Sequence, residues 1–466
     1  MNYSDFVARK HLLSSPVGLM AKPKNMPMFD HQRVLVEWAL RRGRAAIFAD
    51  TGLGKSRMQL AWADTVVRET GKPAIILAPL AVSAQTVREG QSIGIEVMQV
   101  KDGNEIKLDR AAIYITNYDR LHRFDCSIFG AVVLDESSVI KHHDAKTFTR
   151  LTDAFRHTPY KLCATATPAP NDWTELGTHA EFLGVCSRVE MLAEYFCHDG
   201  AETQVWRLKG HARALFWRWV ASWGAMVRKP SDLGFSDDAY ALPPLHVNQH
   251  TTMGDMDAAN AMGFLFPVEA GSMSERRGAR RSSIDGRVAA CADMVNGNTR
   301  PWVVWCDLNA EGEALRKAIP GAVEIRGSDD AETKEARLID FAEGRIRVLI
   351  TKPSIAGFGL NWQHCADMCF VGVTDSFESY YQAVRRCWRF GQSKPVSVHI
   401  FASEAEGSVV ANIRRKEADA KAMGEQLSAE THQAVQEQIF GAVRTFNEYA
   451  ANQSINTPAW LKTEAA

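Results

Sequence analysis

The sequence has little of what marks secreted, membrane or zinc-binding chains. Its nine cysteines are scattered and none falls in a CxxC pair; the closest two, Cys365 and Cys369, have no histidine or second cysteine pair that could complete a zinc site. No run approaches the roughly 20 apolar residues that span a bilayer, and the N-terminus MNYSDFVARKHLLSSPVG has no apolar segment of signal-peptide length. These absences predict reduced thiols and a cytoplasmic location.

Net charge is also nearly absent. The 54 basic and 55 acidic residues leave a formal charge of −1, so any nucleic-acid surface must be a local patch. Hydrophobic residues make up 46% and charged residues 23%, which is typical of a globular chain and excludes a disordered one. Because 466 residues exceed one core, we expect two domains with an extension or insertion.

Short apolar runs alternate with helical stretches in two parts of the chain. In residues 25–175 the runs are AAIFAD, AIILAP, AAIYITN, AVVLDE and YKLCATATP; in residues 285–405 they are PWVVWCD, AVEIRG, RIRVLIT, MCFVGV and VSVHIF. Continuous apolar runs predict strands buried on both faces of a parallel sheet. The predicted fold is therefore α/β, with two lobes, an N-terminal segment (1–24), a mainly helical insertion (176–284) and a helical C-terminal extension (406–466).

The stretch ADTGLGKS, residues 49–56, has the residues of a phosphate-binding loop between a predicted strand and a predicted helix. In that setting backbone N–H groups and a helix N-terminus converge on phosphate oxygens. Lys55 is predicted to reach the β and γ phosphates, and the Ser56 hydroxyl to help hold Mg²⁺. The predicted nucleotide contacts here are Thr51, Gly52, Gly54, Lys55 and Ser56. A glycine-rich structural turn is the alternative.

The run AVVLDESS supplies two acids directly after an apolar strand. Asp135 is predicted to coordinate Mg²⁺, and Glu136 to orient and deprotonate the attacking water. Adjacent acids can also be a solvated helix cap. The phosphate loop some 80 residues upstream makes the metal and base assignment the better one.

The second lobe ends in QAVRRCWRFGQ, residues 382–392. Arg386 and Arg389 are three apart, so on a helix they would share a face. Two guanidiniums brought to the γ-phosphate by lobe closure would neutralise transition-state charge. The alternative is an ordinary basic helix face.

Eight motifs in order carry a family resemblance. They are MFDHQ (28–32), ADTGLGKS, ILAPLAVSAQ (76–85), ITNYDRL (115–121), LDES, TATPAPN (165–171), IAGFGLN (355–361) and QAVRRCWRFGQ. The series resembles that of superfamily 2 helicases, and the forms RFGQSKP, ITNYDRL and TATPAPN are most similar to the Swi/Snf-type group of double-stranded DNA translocases. The resemblance implies two RecA-like lobes and a nucleic-acid-dependent ATPase that uses ATP and Mg²⁺.

The resemblance also implies residue roles. Gln32 matches the residue that reads adenine, and Thr165 and Thr167 match the segment that couples hydrolysis to lobe movement. Further matches are Asn117 in the ITNYDRL motif, Gly357, Gly359 and Asn361 in the motif between nucleotide and nucleic acid, and Gln382, Arg386 and Arg389 in the last motif.

Three positions depart from the family pattern. Ser138 stands where a histidine is usual, so the link from the acidic box to TATP is expected to be weaker or differently made. Arg385 stands where glycine is common, and Trp362 where an aliphatic residue is usual.

The insertion contains two candidate nucleic-acid contacts. Trp206, Trp217, Trp219 and Trp223 alternate with arginines, and they could stack on bases, although tryptophans in a helical stretch are more often core. The stretch RRGARR, with Arg276 and Arg277, could contact phosphates or form a solvated loop.

The leading hypothesis is an ATP-dependent translocase or helicase on DNA, a monomer that contacts the backbone of a duplex whatever its sequence. An ATP-gated DNA-binding module with slow hydrolysis and an RNA-directed helicase are the alternatives. The chain's small size favours an origin in a bacterial virus or prophage.

Overall fold

Two parallel sheets organise the chain. The computed structural model of the protein describes residues 17–79, 82–107, 110, 112–170, 172–199, 202–252, 281–356, 361–372 and 376–403, with scattered positions between 415 and 439. None of the helices within these residues is long and apolar enough to cross a bilayer.

Lobe 1 is built on a seven-stranded sheet with the order β3-β4-β2-β5-β6-β1-β9. The strands are β1 (Arg44–Ala49), β2 (Ala74–Ala78), β3 (Val97–Gln99), β4 (Ile113–Asn117), β5 (Ala131–Asp135), β6 (Tyr160–Thr165) and β9 (Gly224–Val227). The helices are α1 (Asp30–Arg42), α2 (Lys55–Thr70), α3 (Ser83–Ser92), α4 (Lys146–Ala154), α5 (Leu176–Leu183), α6 (Arg188–Tyr195) and α7 (Arg213–Ala221). Every strand pair in this sheet is parallel.

The strands of lobe 1 are buried on both faces. In β1, Ala46 and Phe48 enter one hydrophobic cluster, whereas Ala45, Ile47 and Ala49 enter the cluster on the opposite side. Helices cover both faces, so apolar side chains are favoured at consecutive positions. The predicted parallel sheet is confirmed.

Lobe 2 has a six-stranded parallel sheet with the order β10-β15-β14-β11-β13-β12. Its strands are β10 (Leu245–Thr252), β11 (Trp302–Trp305), β12 (Val323–Glu324), β13 (Val348–Thr351), β14 (Asp367–Phe370) and β15 (Val396–Ser403). Its helices are α8 (Ile284–Asn296), α9 (Asn309–Ala318), α10 (Ala331–Ala342), α11 (Pro353–Ala356) and α12 (Phe377–Val384). Together the lobes form the predicted pair of RecA-like α/β units.

The described part of the predicted helical insertion contains strands. β7 (Phe196–Asp199) and β8 (Glu202–Leu208) form an antiparallel hairpin, β9 pairs with β1 in the first sheet, and β10 pairs with β15 in the second. The expectation of a mainly helical segment is therefore wrong for these residues. β9 has only four residues, and no residue of the eight in β10 is fully buried, so neither gives the long apolar run of a strand buried on both faces.

The tryptophans of this region belong to the core of lobe 1. Trp217, Trp219 and Trp223 are almost fully buried and pack with Phe216 and Tyr195. The core interpretation is confirmed, and base stacking by these three rings is excluded.

The described positions near the C-terminal end contact lobe 1. Val435 and Ile439 are buried in the cluster that contains α1, and Arg41 Nη2 donates to the Ile439 carbonyl at 3.1 Å. Most of residues 406–466 lies outside the described residues.

Candidate nucleotide site between the lobes

The phosphate loop is the turn from β1 to α2. Gly52 and Gly54 have φ angles of 94° and 80°, a region that favours glycine. A Cβ on Gly54 would collide with Gln32, and one on Gly52 would lie 3.2 Å from Phe390 Cβ. The two glycines therefore permit both the turn and the close approach of neighbouring side chains.

Lys55 begins α2 and is held against the turn. Its Nζ donates to the carbonyls of Ala49 and Asp50, at 2.9 and 3.4 Å. Burial lowers the pKa of Lys55, and the carboxylates of Glu136 and Asp50 oppose that shift. The ammonium group thus lies in a site that favours negative charge beside it.

The two acids are at the carboxyl end of β5. Asp135 is buried and its Oδ1 accepts from Gln59 Nε2 at 2.6 Å. Burial, with Glu136 next to it, raises the pKa of Asp135 to about 6. Glu136 has a φ of 53°, the one positive φ outside glycine among the described residues, a conformation that costs about 1–3 kcal/mol. The backbone therefore turns sharply at Glu136, the predicted general base.

The acidic box is linked directly to the TATP segment. Thr165 Oγ1 donates to Glu136 Oε2 at 3.3 Å, and Thr167 N donates to Thr165 Oγ1 at 3.2 Å. Ser137 Oγ lies 3.2 Å from His179 Nε2, on a helix that follows TATP. Among the described residues, no side-chain hydrogen bond joins Ser138 to the TATP segment. The acidic box is linked to that part of the chain through Glu136 and Ser137 instead.

Arg386 and Arg389 follow α12 and do not share a helix face. The helix ends at Val384, so the predicted helical spacing is wrong, yet both side chains line the same cavity as Lys55. Arg386 Nε donates to the Gln382 carbonyl at 3.1 Å. The turn after α12 brings the two guanidiniums together, and the helical spacing of three residues does not.

Arg386 is buried, and Arg389 is partly exposed with its Nε buried. Burial lowers the pKa of Arg386 to about 10, against the attraction of Glu136. Burial and then the neighbouring Arg386 and Arg385 lower the pKa of Arg389 to about 9. Arg389 Nε has no hydrogen-bond partner among the described residues. A bound anion would offset both effects.

The groups converge on one cavity of about 250 Å³ between the lobes. Its walls include the predicted contacts Gln32, Thr51, Gly52, Gly54, Lys55, Ser56, Asp135, Glu136, Asn361, Arg386 and Arg389. One wall comes from lobe 1 and the other from lobe 2, so the complete site requires both.

Three aromatic rings that the sequence motifs did not predict surround Gln32. Phe29, Tyr240 and Phe390 have ring centroids 5.0 to 6.2 Å apart. Gln32 Nε2 donates to the Leu53 carbonyl at 2.9 Å and to Tyr240 OH at 3.4 Å. The sequence held a signal for two of these rings, because Phe29 lies in MFDHQ and Phe390 in RFGQ, both within the motif series.

Some predicted residues lie elsewhere. Gln382 lines a second cavity of about 310 Å³ with Asn117 and Glu136, rather than the first. Asn117 Oδ1 accepts from Arg120 N at 3.1 Å. Gly357, Gly359, Arg276 and Arg277 lie outside the described residues.

Family models match both lobes. The SNF2-related domain matches residues 31–218, and the helicase conserved C-terminal domain matches residues 295–391. Together they cover more than half of the chain and contain Lys55, Glu136 and Arg389. The chain belongs to the Swi/Snf-type superfamily 2 helicases.

Other comparisons of this Swi/Snf-type helicase are weaker. No curated protein matches its sequence. The solved Sulfolobus solfataricus SWI2/SNF2 ATPase core in complex with dsDNA is similar over 90% of this chain and 99% of that chain, with 16% identity and a TM-score of 0.42. As a Swi/Snf-type helicase, the protein is a nucleic-acid-dependent ATPase.

Proposed function

We propose that the protein couples ATP hydrolysis to movement along double-stranded DNA. Arg389 of lobe 2 carries the proposal, because its side chain lines the phosphate-loop cavity and its buried Nε has no hydrogen-bond partner among the described residues. A buried cation is costly unless an anion completes its surroundings. Phosphates bound by lobe 1 would supply that anion, so hydrolysis would depend on the position of lobe 2.

The chemistry follows from the residues around the cavity. Lys55 would bind the β and γ phosphates, and Glu136 would accept a proton from the attacking water. Arg386 and Arg389 would offset charge that develops on the transferred phosphoryl group. Because these arginines come from lobe 2, a change in lobe closure would change the rate.

Mg²⁺ fits the oxygen groups of lobe 1. The Ser56 hydroxyl and the Asp135 carboxylate line one cavity, and hard oxygen ligands suit this ion. When bound, Mg²⁺ neutralises charge on phosphate oxygens. Gln59 orients one Asp135 oxygen, which keeps the carboxylate in place.

Coupling would run through the contact between Thr165 and Glu136. The hydrogen bond from the Thr165 hydroxyl joins the proposed base to the TATP segment, so a displacement of either one moves the other.

DNA is the proposed track because RFGQSKP, ITNYDRL and TATPAPN resemble the Swi/Snf-type forms. We include Asn117, Asn361, Arg276 and Arg277 as proposed nucleic-acid or coupling residues.

Tyr240→Ala is expected to raise the KM for ATP about tenfold, because the ring would stack on adenine beside Gln32. Tyr240→Phe keeps the ring and loses the contact to Gln32, so its KM should stay near the wild-type value. Steady-state ATPase kinetics measure both. An unchanged KM in the alanine variant would place the adenine elsewhere.

The proposed function is tested by ATP hydrolysis without nucleic acid and with single-stranded DNA, duplex DNA or RNA. Stimulation chiefly by duplex DNA, together with displacement of a third strand from a triplex, is the expected result. Stimulation by single strands or RNA would contradict the duplex track. A low rate under all four conditions would favour the gated binding module.

A further inference from the structure

Three side chains join the phosphate loop to lobe 2 beside the arginine pair. Asp50 Oδ1 accepts a hydrogen bond from Tyr381 OH at 2.7 Å and lies 3.2 Å from Arg385 Nη2. The same Arg385 nitrogen donates to the Thr51 carbonyl at 2.8 Å. Thr51 N also donates to Asp50 Oδ1 at 2.6 Å. One carboxylate oxygen therefore ties the turn of lobe 1 to two residues of lobe 2.

Arg385 is oriented by its surroundings. Its side chain is 5% exposed, and its guanidinium carbon lies 5.6 Å from the Tyr381 ring centroid and 5.0 Å from that of Trp388. Two rings at such distances favour a fixed cation between them. Its Nη2 is directed at the phosphate loop, where it contacts the Thr51 carbonyl and Asp50 Oδ1.

The charges of the contact support each other. Burial would raise the pKa of Asp50, but Arg385, Tyr381 OH and the Thr51 N–H together hold it below its ordinary value. Burial would lower the pKa of Arg385, and Tyr381 and Asp50 raise it instead. Both groups are therefore charged at neutral pH. Arg385 is 5% exposed and Asp50 26% exposed, so removal of Asp50 would leave the Arg385 charge buried without its counter-ion.

The contact lies next to the two arginines of the nucleotide cavity in the chain. Arg385 directly precedes Arg386 and lies four residues before Arg389. Phe390 lies against Gly52 on the same side. The backbone that carries both arginines is thus held against Asp50–Gly52 by contacts at its two ends. A glycine at position 385, as is common in the family, would make none of the side-chain contacts.

We propose that Asp50, Tyr381 and Arg385 form an interlobe latch that sets the position of Arg386 and Arg389 relative to the phosphate loop. The three are positioning residues, since they act through the arginine pair. The inference rests on the proposed function. Loss of the latch should lower turnover and leave nucleotide binding by lobe 1 nearly intact, because Lys55 and the loop glycines remain.

The test compares Arg385→Ala, Asp50→Asn and the double variant. We expect Arg385→Ala to reduce kcat at saturating duplex DNA about tenfold, within the range of coupled contacts, and to leave the Kd for ADP within about twofold. Asp50→Asn keeps an acceptor for Thr51 N and loses the charge, so it should also lower kcat. Because the residues act together, the double variant should lose little more than Arg385→Ala alone.

The matched control is Arg345→Ala, which removes an exposed lobe 2 arginine paired with Asp340 and should keep wild-type kcat. Wild-type kcat in Arg385→Ala, or additive losses in the double variant, would overturn the latch. An equal loss of ADP affinity and kcat would also overturn it, because the defect would then lie in the loop itself.

If the proposed function is wrong, no nucleic acid will change the ATPase rate of the wild-type protein. The latch is then decided by small-angle X-ray scattering of the full chain without nucleotide. A larger radius of gyration in Arg385→Ala than in Arg345→Ala supports the latch, and equal radii overturn it.

Discussion

Glu136→Gln is expected to lower ATP turnover by about 10²–10⁴-fold while ATP still binds. The substitution keeps the size of the side chain and an oxygen that can accept from Thr165, but the amide cannot take a proton from water. Because Lys55 and the loop glycines are unchanged, the Kd for ATP should stay close to that of the wild type. Single-turnover hydrolysis and equilibrium binding of a fluorescent ATP analogue measure the two effects separately.

The control for this prediction is Glu105→Gln, the same chemical change on lobe 1. Glu105 accepts from Lys101 N at 2.9 Å on an exposed turn, so its variant should hydrolyse ATP at the wild-type rate. Full turnover in Glu136→Gln would contradict the assignment of the base. A loss of ATP binding equal to the loss of turnover would mean that the carboxylate supports the cavity rather than the chemistry.

The sequence was sufficient for the parts of the site that are local in the chain. The phosphate loop and the acidic pair each lie directly after a strand buried on both faces, as β1 and β5 are. Such strands give continuous apolar runs. Because parallel strands end at one edge of a sheet, the two motifs had to lie near each other once both strands were placed.

The parts that depend on contacts between distant residues could not be predicted in the same way. Tyr240 lies more than 200 residues from Gln32 in the chain, and nothing in its local sequence distinguishes it from a core tyrosine. Asp50 and Arg385 are separated by 335 positions, and their pairing requires the actual placement of the two lobes. The edge strands β9 and β10 were missed for a similar reason, because their pairing partners are β1 and β15.

Arg386 and Arg389 line one cavity, but they reach it by a geometry that differs from the predicted one. A spacing of three residues predicts one face only inside a helix, and the helix ends at Val384. The tight turns that follow, with Cys387 buried between the two arginines, bring both guanidiniums to the cavity. Periodicity could not indicate this, since the direction of a side chain in a turn depends on packing.

Arg389→Ala is expected to lower the rate of hydrolysis by about 10³–10⁵-fold, the effect typical of a lost arginine finger. The expected loss is larger than for Arg386, because Arg386 Nε already donates to the Gln382 carbonyl and part of its role is to hold that turn. Arg389→Lys should recover a small part of the rate, since an ammonium group supplies charge without the planar donor pair. ADP should bind all of these variants with nearly wild-type affinity.

The decisive measurement uses ADP with aluminium fluoride, which imitates the charge of the transferred phosphoryl group. If Arg389 acts in the transition state, its loss weakens binding of this mimic far more than binding of ADP, because catalysis is the difference between the two affinities. Arg300→Ala removes an exposed lobe 2 arginine that lies 3.3 Å from Asp367 and should change neither. Equal weakening of both ligands by Arg389→Ala would make this arginine a ground-state phosphate contact.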